Sequence, residues 1–336
     1  TDFAAASDNL NITVSGDIDF DLTDKGDVAS NSDGLALLSS ATTAGEYFFN
    51  TATNSFVQDT DGNGLIQSSD TVITLTDETG FASTDVNWTV TGVGSANTIT
   101  TGAGNDTVHL ASLVATGTVA MGAGTTDTIT STAADITSAT VSGVEAVTIT
   151  TGGTLTASLA QLATFNGTSG FAVTGVASGS AEQLVVAVSS GTNTLDASGI
   201  TFTNANASLT GGTGVDTITG GTGDDLIIVT VTGDGDTDVM DGGTGTGDTL
   251  QLVGGGATHT FATNANLTGI ETIVNASGAN TVVLTGQSEA FAYTGSTGID
   301  TITVGAGTFT HTGGATATDV INATAGVAST VVTADA

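Results

Sequence analysis

The stretch Leu209–Val231, LTGGTGVDTITGGTGDDLIIVTV, holds two back-to-back copies of a nine-residue pattern, Gly211–Thr219 and Gly220–Ile228. In each copy glycines lead to an aspartate, Asp216 or Asp225, and an aliphatic residue follows two places later. Related runs set Asp106, Asp127, Asp238, Asp248 and Asp300 in the same surroundings. A carboxylate is a hard oxygen donor, and glycines let a turn adopt positive φ and let backbone carbonyls draw together. That combination makes a cage for a cation accepting roughly six to eight oxygens in flexible geometry, which is Ca2+. An isolated aspartate of this kind would more simply cap its own turn. Acids repeated in phase, in a chain whose one Lys or Arg is Lys25, favour ligation instead.

A second oxygen-rich run is DTDGNGLIQSSD, Asp59–Asp70. Its spacing is that of an EF-hand loop: Asp59, Asp61, Asn63 and Asp70 would supply side-chain oxygens, Leu65 its carbonyl, and Gln67 a ligand directly or through water. FVQ before it and TVITLT after it read as strands rather than helices. The expectation is a structural calcium site.

These turns need strands to hold them. Thr-x-Thr alternation recurs at Thr98–Thr100, Thr128–Thr130, Thr217–Thr219 and Thr301–Thr303, with β-branched residues between glycine clusters. Helical periodicity is confined to Ser158–Phe165, SLAQLATF. Residues 1–90 carry Trp88, both the EF-like loop and Lys25, and are expected to form a β domain; residues 91–336, rich in Gly, Thr, Ala, Val and Asp, are expected to form a separate solenoid. Two longer units also repeat: SGVEAVTI (Ser142–Ile149) returns as TGIETIVN (Thr268–Asn275). From Asp216 the acids advance in steps of 9, 13 and 10, so the nine-residue period is not kept past Ile228.

The 336 residues carry a formal net charge of −33, which disfavours nucleic acid and anionic membrane surfaces as partners. No apolar run reaches transmembrane length, and the absence of Cys rules out a disulfide framework. His109, His259 and His311 are scattered, there is no Arg, and only 4% of residues are aromatic, so no enzyme is expected.

GGTGVDTIT and GGTGDDLII resemble the repeats-in-toxin pattern, Gly-Gly-x-Gly-x-Asp and then an aliphatic, which folds as a calcium-filled parallel β-roll. The resemblance implies ligand roles for Asp216 and Asp225 and, through the looser copies, for Asp106, Asp127, Asp238, Asp248 and Asp300. Gly212, Gly214, Gly221 and Gly223, with Gly102 and Gly104 in the copy before Asp106, become the turn glycines. SGVEAVTI, TGIETIVN and NTLDASGI (Asn193–Ile200), set among Thr/Ala/Gly-rich strands, are similar to surface-layer proteins of Gram-negative bacteria exported by type I secretion. That likeness, over about residues 91–325, implies an extracellular, cell-surface lattice subunit. Its partners would be further copies of itself and cell-surface polysaccharide. An adhesin or biofilm-matrix binding protein is the alternative.

Overall fold

The computed structural model describes residues 10–15, 24–28, 47–50, 55–58, 71–74, 86–91 and 98–100 as backbone strands. It further describes residues 105–110, 117–122, 124–176, 182–230, 237–261, 263–305, 308–312, 319–323 and 331–334. The fold is an all-β parallel solenoid of about eight turns, with one helix among the described residues. The chain divides into two compact units, Thr1–Leu155 and Thr156–Ala336.

In the second unit one long sheet takes a strand from every coil: Glu182–Ala187, Ala205–Thr210, Leu226–Val229, Thr249–Leu252, Thr272–Asn275, Phe291–Thr294, Phe309–Thr312 and Val331–Ala334. Every neighbouring pair is parallel. Between them the chain crosses to shorter parallel sheets. One holds Thr194–Asp196, Thr217–Thr219, Val239–Asp241 and Leu267–Thr268; the other holds Thr258–Thr260, Thr281–Leu284, Thr301–Val304 and Val320–Ala323.

Period-two patterning decides which residues face inward. Leu209, Ile227, Leu250, Ile273 and Tyr293 stand opposite one another in register, all 0–1% exposed. Leu195, Ile218, Met240 and Leu267 form the matching file across the coil. Burying each such side chain stabilises the coil by about 1.5–3 kcal/mol. The threonines of the runs at Thr128–Thr130, Thr217–Thr219 and Thr301–Thr303 fall on the outer positions, as in Thr217 and Thr219 around buried Ile218.

The helix Leu159–Gly167 lies where the periodicity places it. Ser158 caps its start through a reciprocal bond with Gln161: the Gln161 N–H donates to Ser158 Oγ at 3.3 Å, and the Ser158 N–H donates to Gln161 Oε1 at 2.8 Å. Leu162 and Phe165 are buried, and Phe165 stacks on Phe171 with ring centroids 4.6 Å apart.

Leu10–Ser15, Val86–Thr91, Thr107–Leu110 and Thr128–Asp135 of the first unit follow one another across a sheet, and Ala146–Ala157, which ends two residues past the unit's last residue, comes next. Thr98–Thr100, Thr118–Ala120 and Thr140–Ser142 form a parallel sheet of their own. Asp24–Val28 pairs in parallel with Tyr47–Asn50, which continues through Ser55–Gln58 to Thr71–Thr74 in antiparallel pairing. Gln58 stands opposite Thr71, so the expected strands do flank the EF-like loop. The loop's ligands, Asp59, Asp61, Asn63, Leu65, Gln67 and Asp70, lie outside the described residues, as do Gly102 and Gly104. Among the described residues no helix is long and apolar enough to cross a membrane.

Candidate metal-binding columns

Asp106, Asp127, Asp216, Asp225, Asp238, Asp248 and Asp300 are all 0–2% exposed. Asp127, Asp216, Asp225, Asp238, Asp248 and Asp300 each place a carboxylate oxygen on a backbone N–H of the coil before. The Asp106 N–H donates to Asp127 Oδ1 at 2.8 Å, and the Asp127 N–H donates to Glu145 Oε2 at 2.9 Å. In the second unit Ala207 donates to Asp225 Oδ1 at 2.6 Å, Asp225 to Asp248 Oδ1 at 2.7 Å, and Asp248 to Glu271 Oε2 at 2.9 Å. Across the coil Asn193 donates to Asp216 Oδ1 and Asp216 to Asp238 Oδ1, both at 2.8 Å. A fourth file runs from Ala257 to Asn280, Asp300 and Asp319 at 3.0, 2.8 and 2.8 Å. The acids thus form columns, one residue per coil, each at the turn entering a strand.

This arrangement resolves the broken period. Asp216 and Asp225, neighbours in sequence, belong to different columns. Asp216 meets Asp238, 22 residues on, and Asp225 meets Asp248, 23 residues on. The uneven steps alternate between two sides of the coil and add to nearly constant coil lengths.

The glycines make room for the columns. A Cβ on Gly211 would strike the Asp216 carboxylate, and one on Gly220 that of Asp225. Gly214 holds φ +137° and packs on the Gly191 carbonyl of the previous coil, where any side chain would collide. Gly212 and Gly223 also take positive φ; Gly221 does not, and is needed because Phe202 lies against it.

Electrostatically the columns are incomplete. Oδ2 of Asp127, Asp216 and Asp248 closes no hydrogen bond among the described residues. Burial chiefly pushes Asp127 up to about 6 and Asp248 up to about 7, and raises Asp225 as well. Backbone N–H groups oppose the rise, and the charges of adjoining column members reinforce it. Burying a carboxylate with one oxygen unbonded is costly, so Asp127 and Asp248 favour taking up either a proton or a cation. No group of three or more His, Cys, Asp or Glu side chains that could hold a metal occurs among the described residues. An ion bound here would therefore combine one or two carboxylates with backbone carbonyl and water oxygens, a donor set suited to Ca2+.

The fourth column is supplied differently. Asn275 Nδ2 donates to Asp300 Oδ1 at 2.7 Å, and His311 Nε2 lies 2.8 Å from Asp319 Oδ2. Burial, then the charge of Asp300, pushes the Tyr293 hydroxyl far above its ordinary range. His259 is wholly buried on its strand.

Sequence reasoning missed Glu145, Glu271, Asn193, Asn280 and Asp319 as column members. The signals were present: the two glutamates sit at the same place in SGVEAVTI and TGIETIVN, and Asp319 sits in GGATATDVI, a weak copy of the glycine–aspartate unit. Comparison of the chain with protein-family models, curated proteins and solved structures returned no match.

Proposed function

We propose that this chain is a calcium-dependent structural protein of the bacterial cell surface, a self-assembling surface-layer or extracellular lattice subunit, and not an enzyme. The observation that carries the reading is the set of buried, in-register carboxylate columns in a chain of net charge −33 with a single Lys and no Arg. Cations from outside must neutralise what the chain itself does not. In a low-calcium compartment the columns repel and the coils stay open; at millimolar Ca2+ binding to the native state stabilises it by mass action. Asp127, Asp216, Asp225, Asp238, Asp248 and Asp300 are the ligands this reading assigns among the described residues, together with Asp106.

The test is a calcium titration of the stripped chain followed by circular dichroism and light scattering together. Strand signal and large ordered assemblies should appear together with Ca2+ and vanish with chelator. A chain that folds yet stays monomeric at millimolar Ca2+ would move the adhesin reading ahead. One already fully folded without calcium would overturn the role given to the aspartates.

A further inference from the structure

Two of the acid columns end on a glutamate, and they end alike. Glu145 and Glu271 follow a glycine of positive φ two residues earlier, Gly143 at +68° and Gly269 at +61°. Each of those glycines packs on the backbone of a glycine one coil before, Gly122 and Gly243. Each glutamate accepts the N–H of the last aspartate through Oε2 at 2.9 Å. Each also turns two successive N–H groups onto that aspartate's carbonyl: Glu145 and Ala146 onto Asp127, Glu271 and Thr272 onto Asp248. Where an aspartate follows an aspartate only the next residue makes that bond, as Thr249 does to Asp225. The two arrangements lie in separate units and arise from two copies of one sequence unit, SGVEAVTI and TGIETIVN, so the device is repeated along with its sequence.

At both ends the aspartate is 0–1% exposed and its Oδ2 closes no hydrogen bond among the described residues, with only the nearby backbone of Gly124 or Gly245 easing its charge from within its own turn. The Asp248 carboxylate faces into its own glycine turn, with both oxygens within 2.8 Å of where a Gly245 Cβ would sit. The glutamate beside it is only half-buried, so one carboxylate oxygen is held on backbone while the group keeps access to solvent. A purely structural cap needs an acceptor but no charge. Placing a second anion beside a buried carboxylate that already leaves one oxygen unbonded raises the cost of the site unless a cation is shared between them.

We propose that Glu145 and Glu271 are ligands of a divalent cation at the end of their columns, shared with Asp127 and Asp248 respectively. The inference rests on the calcium reading above and extends it to two residues outside the glycine–aspartate repeat. The pairs bind the ion that closes each column, and the glutamates, reachable from solvent, are where it enters.

The experiment counts Ca2+ bound per full-length chain by equilibrium dialysis and reads folding by circular dichroism on the same samples. Glu145→Gln with Glu271→Gln keeps an oxygen on the Asp127 and Asp248 N–H groups but removes the charge. The double variant should lose two ions per chain, or bind its two weakest at least tenfold less tightly. The matched charge control, Asp135→Asn with Asp196→Asn, alters acids that only cap their own turns at Thr137 and Ser198 and should bind like the parent. If the double variant does not fold at saturating Ca2+, each single variant should lose one ion. Unchanged stoichiometry and affinity in the glutamine variants would overturn the assignment while leaving the calcium reading intact. A parent chain that binds no Ca2+ would overturn both.

Discussion

At the residue scale Asp127 and Asp248 each accept a backbone N–H from the coil before through Oδ1 and keep a buried Oδ2 that closes no hydrogen bond among the described residues. The two roles separate on substitution. Asp248→Asn keeps an oxygen for the Asp225 N–H but removes the buried charge. It should stabilise the calcium-free chain while weakening calcium binding about tenfold or more, read by denaturant melts with chelator and with Ca2+. Titration gives a second test. The folded-state values of Asp127 and Asp248, about 6 and about 7, lie above the ordinary 3.8, so the native state holds more protons than the unfolded one across that window. Stability contributed by the protonated carboxyls is present at low pH and lost as pH rises through about 6 to 7. In chelator, strand signal should therefore be greater near about pH 5 than near about pH 8, and saturating Ca2+ should flatten the dependence. Equal signal at both values in chelator would contradict the burial of these groups.

At the scale of the strand and turn, stability comes from inward aliphatic files and from glycines that let coils approach. Leu250 is fully buried between Ile227 and Ile273. Leu250→Ala should cost about 2–5 kcal/mol in calcium-saturated denaturant unfolding. Gly214→Ala, which would meet the Gly191 carbonyl at a φ of +137°, should disturb its coil at least as much as a core deletion, seen as loss of amide protection around Thr213 and Gly191. Strands and turns of this kind were legible because alternation and glycine clusters are local patterns, and the capped helix at Ser158 was legible for the same reason. Column membership was less so. Which acids meet depends on coil length, set by the sum of two unequal half-coils, and a window of nine residues sees only one half. Asn280 was hidden by its neutral side chain, although it accepts the Ala257 N–H just as an aspartate would. Glu145 and Glu271 stood out as a repeat, but their meaning required knowing what lay one coil earlier.

At the scale of the whole molecule the columns have a direction that parallel strands alone do not disclose. In every link described the carboxylate reaches back to the coil before it: Asp225 serves Ala207, Asp248 serves Asp225, Glu271 serves Asp248. Damage to one acid is therefore felt on one side only. Asp248→Ala strips the acceptor from the Asp225 amide, while the Asp248 amide itself keeps Glu271. Site-resolved hydrogen exchange should show Asp225 losing protection and Asp248 retaining it. Loosening on both sides would mean that the links are cosmetic and the aliphatic files alone set the order. With the links real, a lesion in a column travels toward the N-terminus, and the solenoid behaves as a one-way fastener whose later coils hold the earlier ones shut.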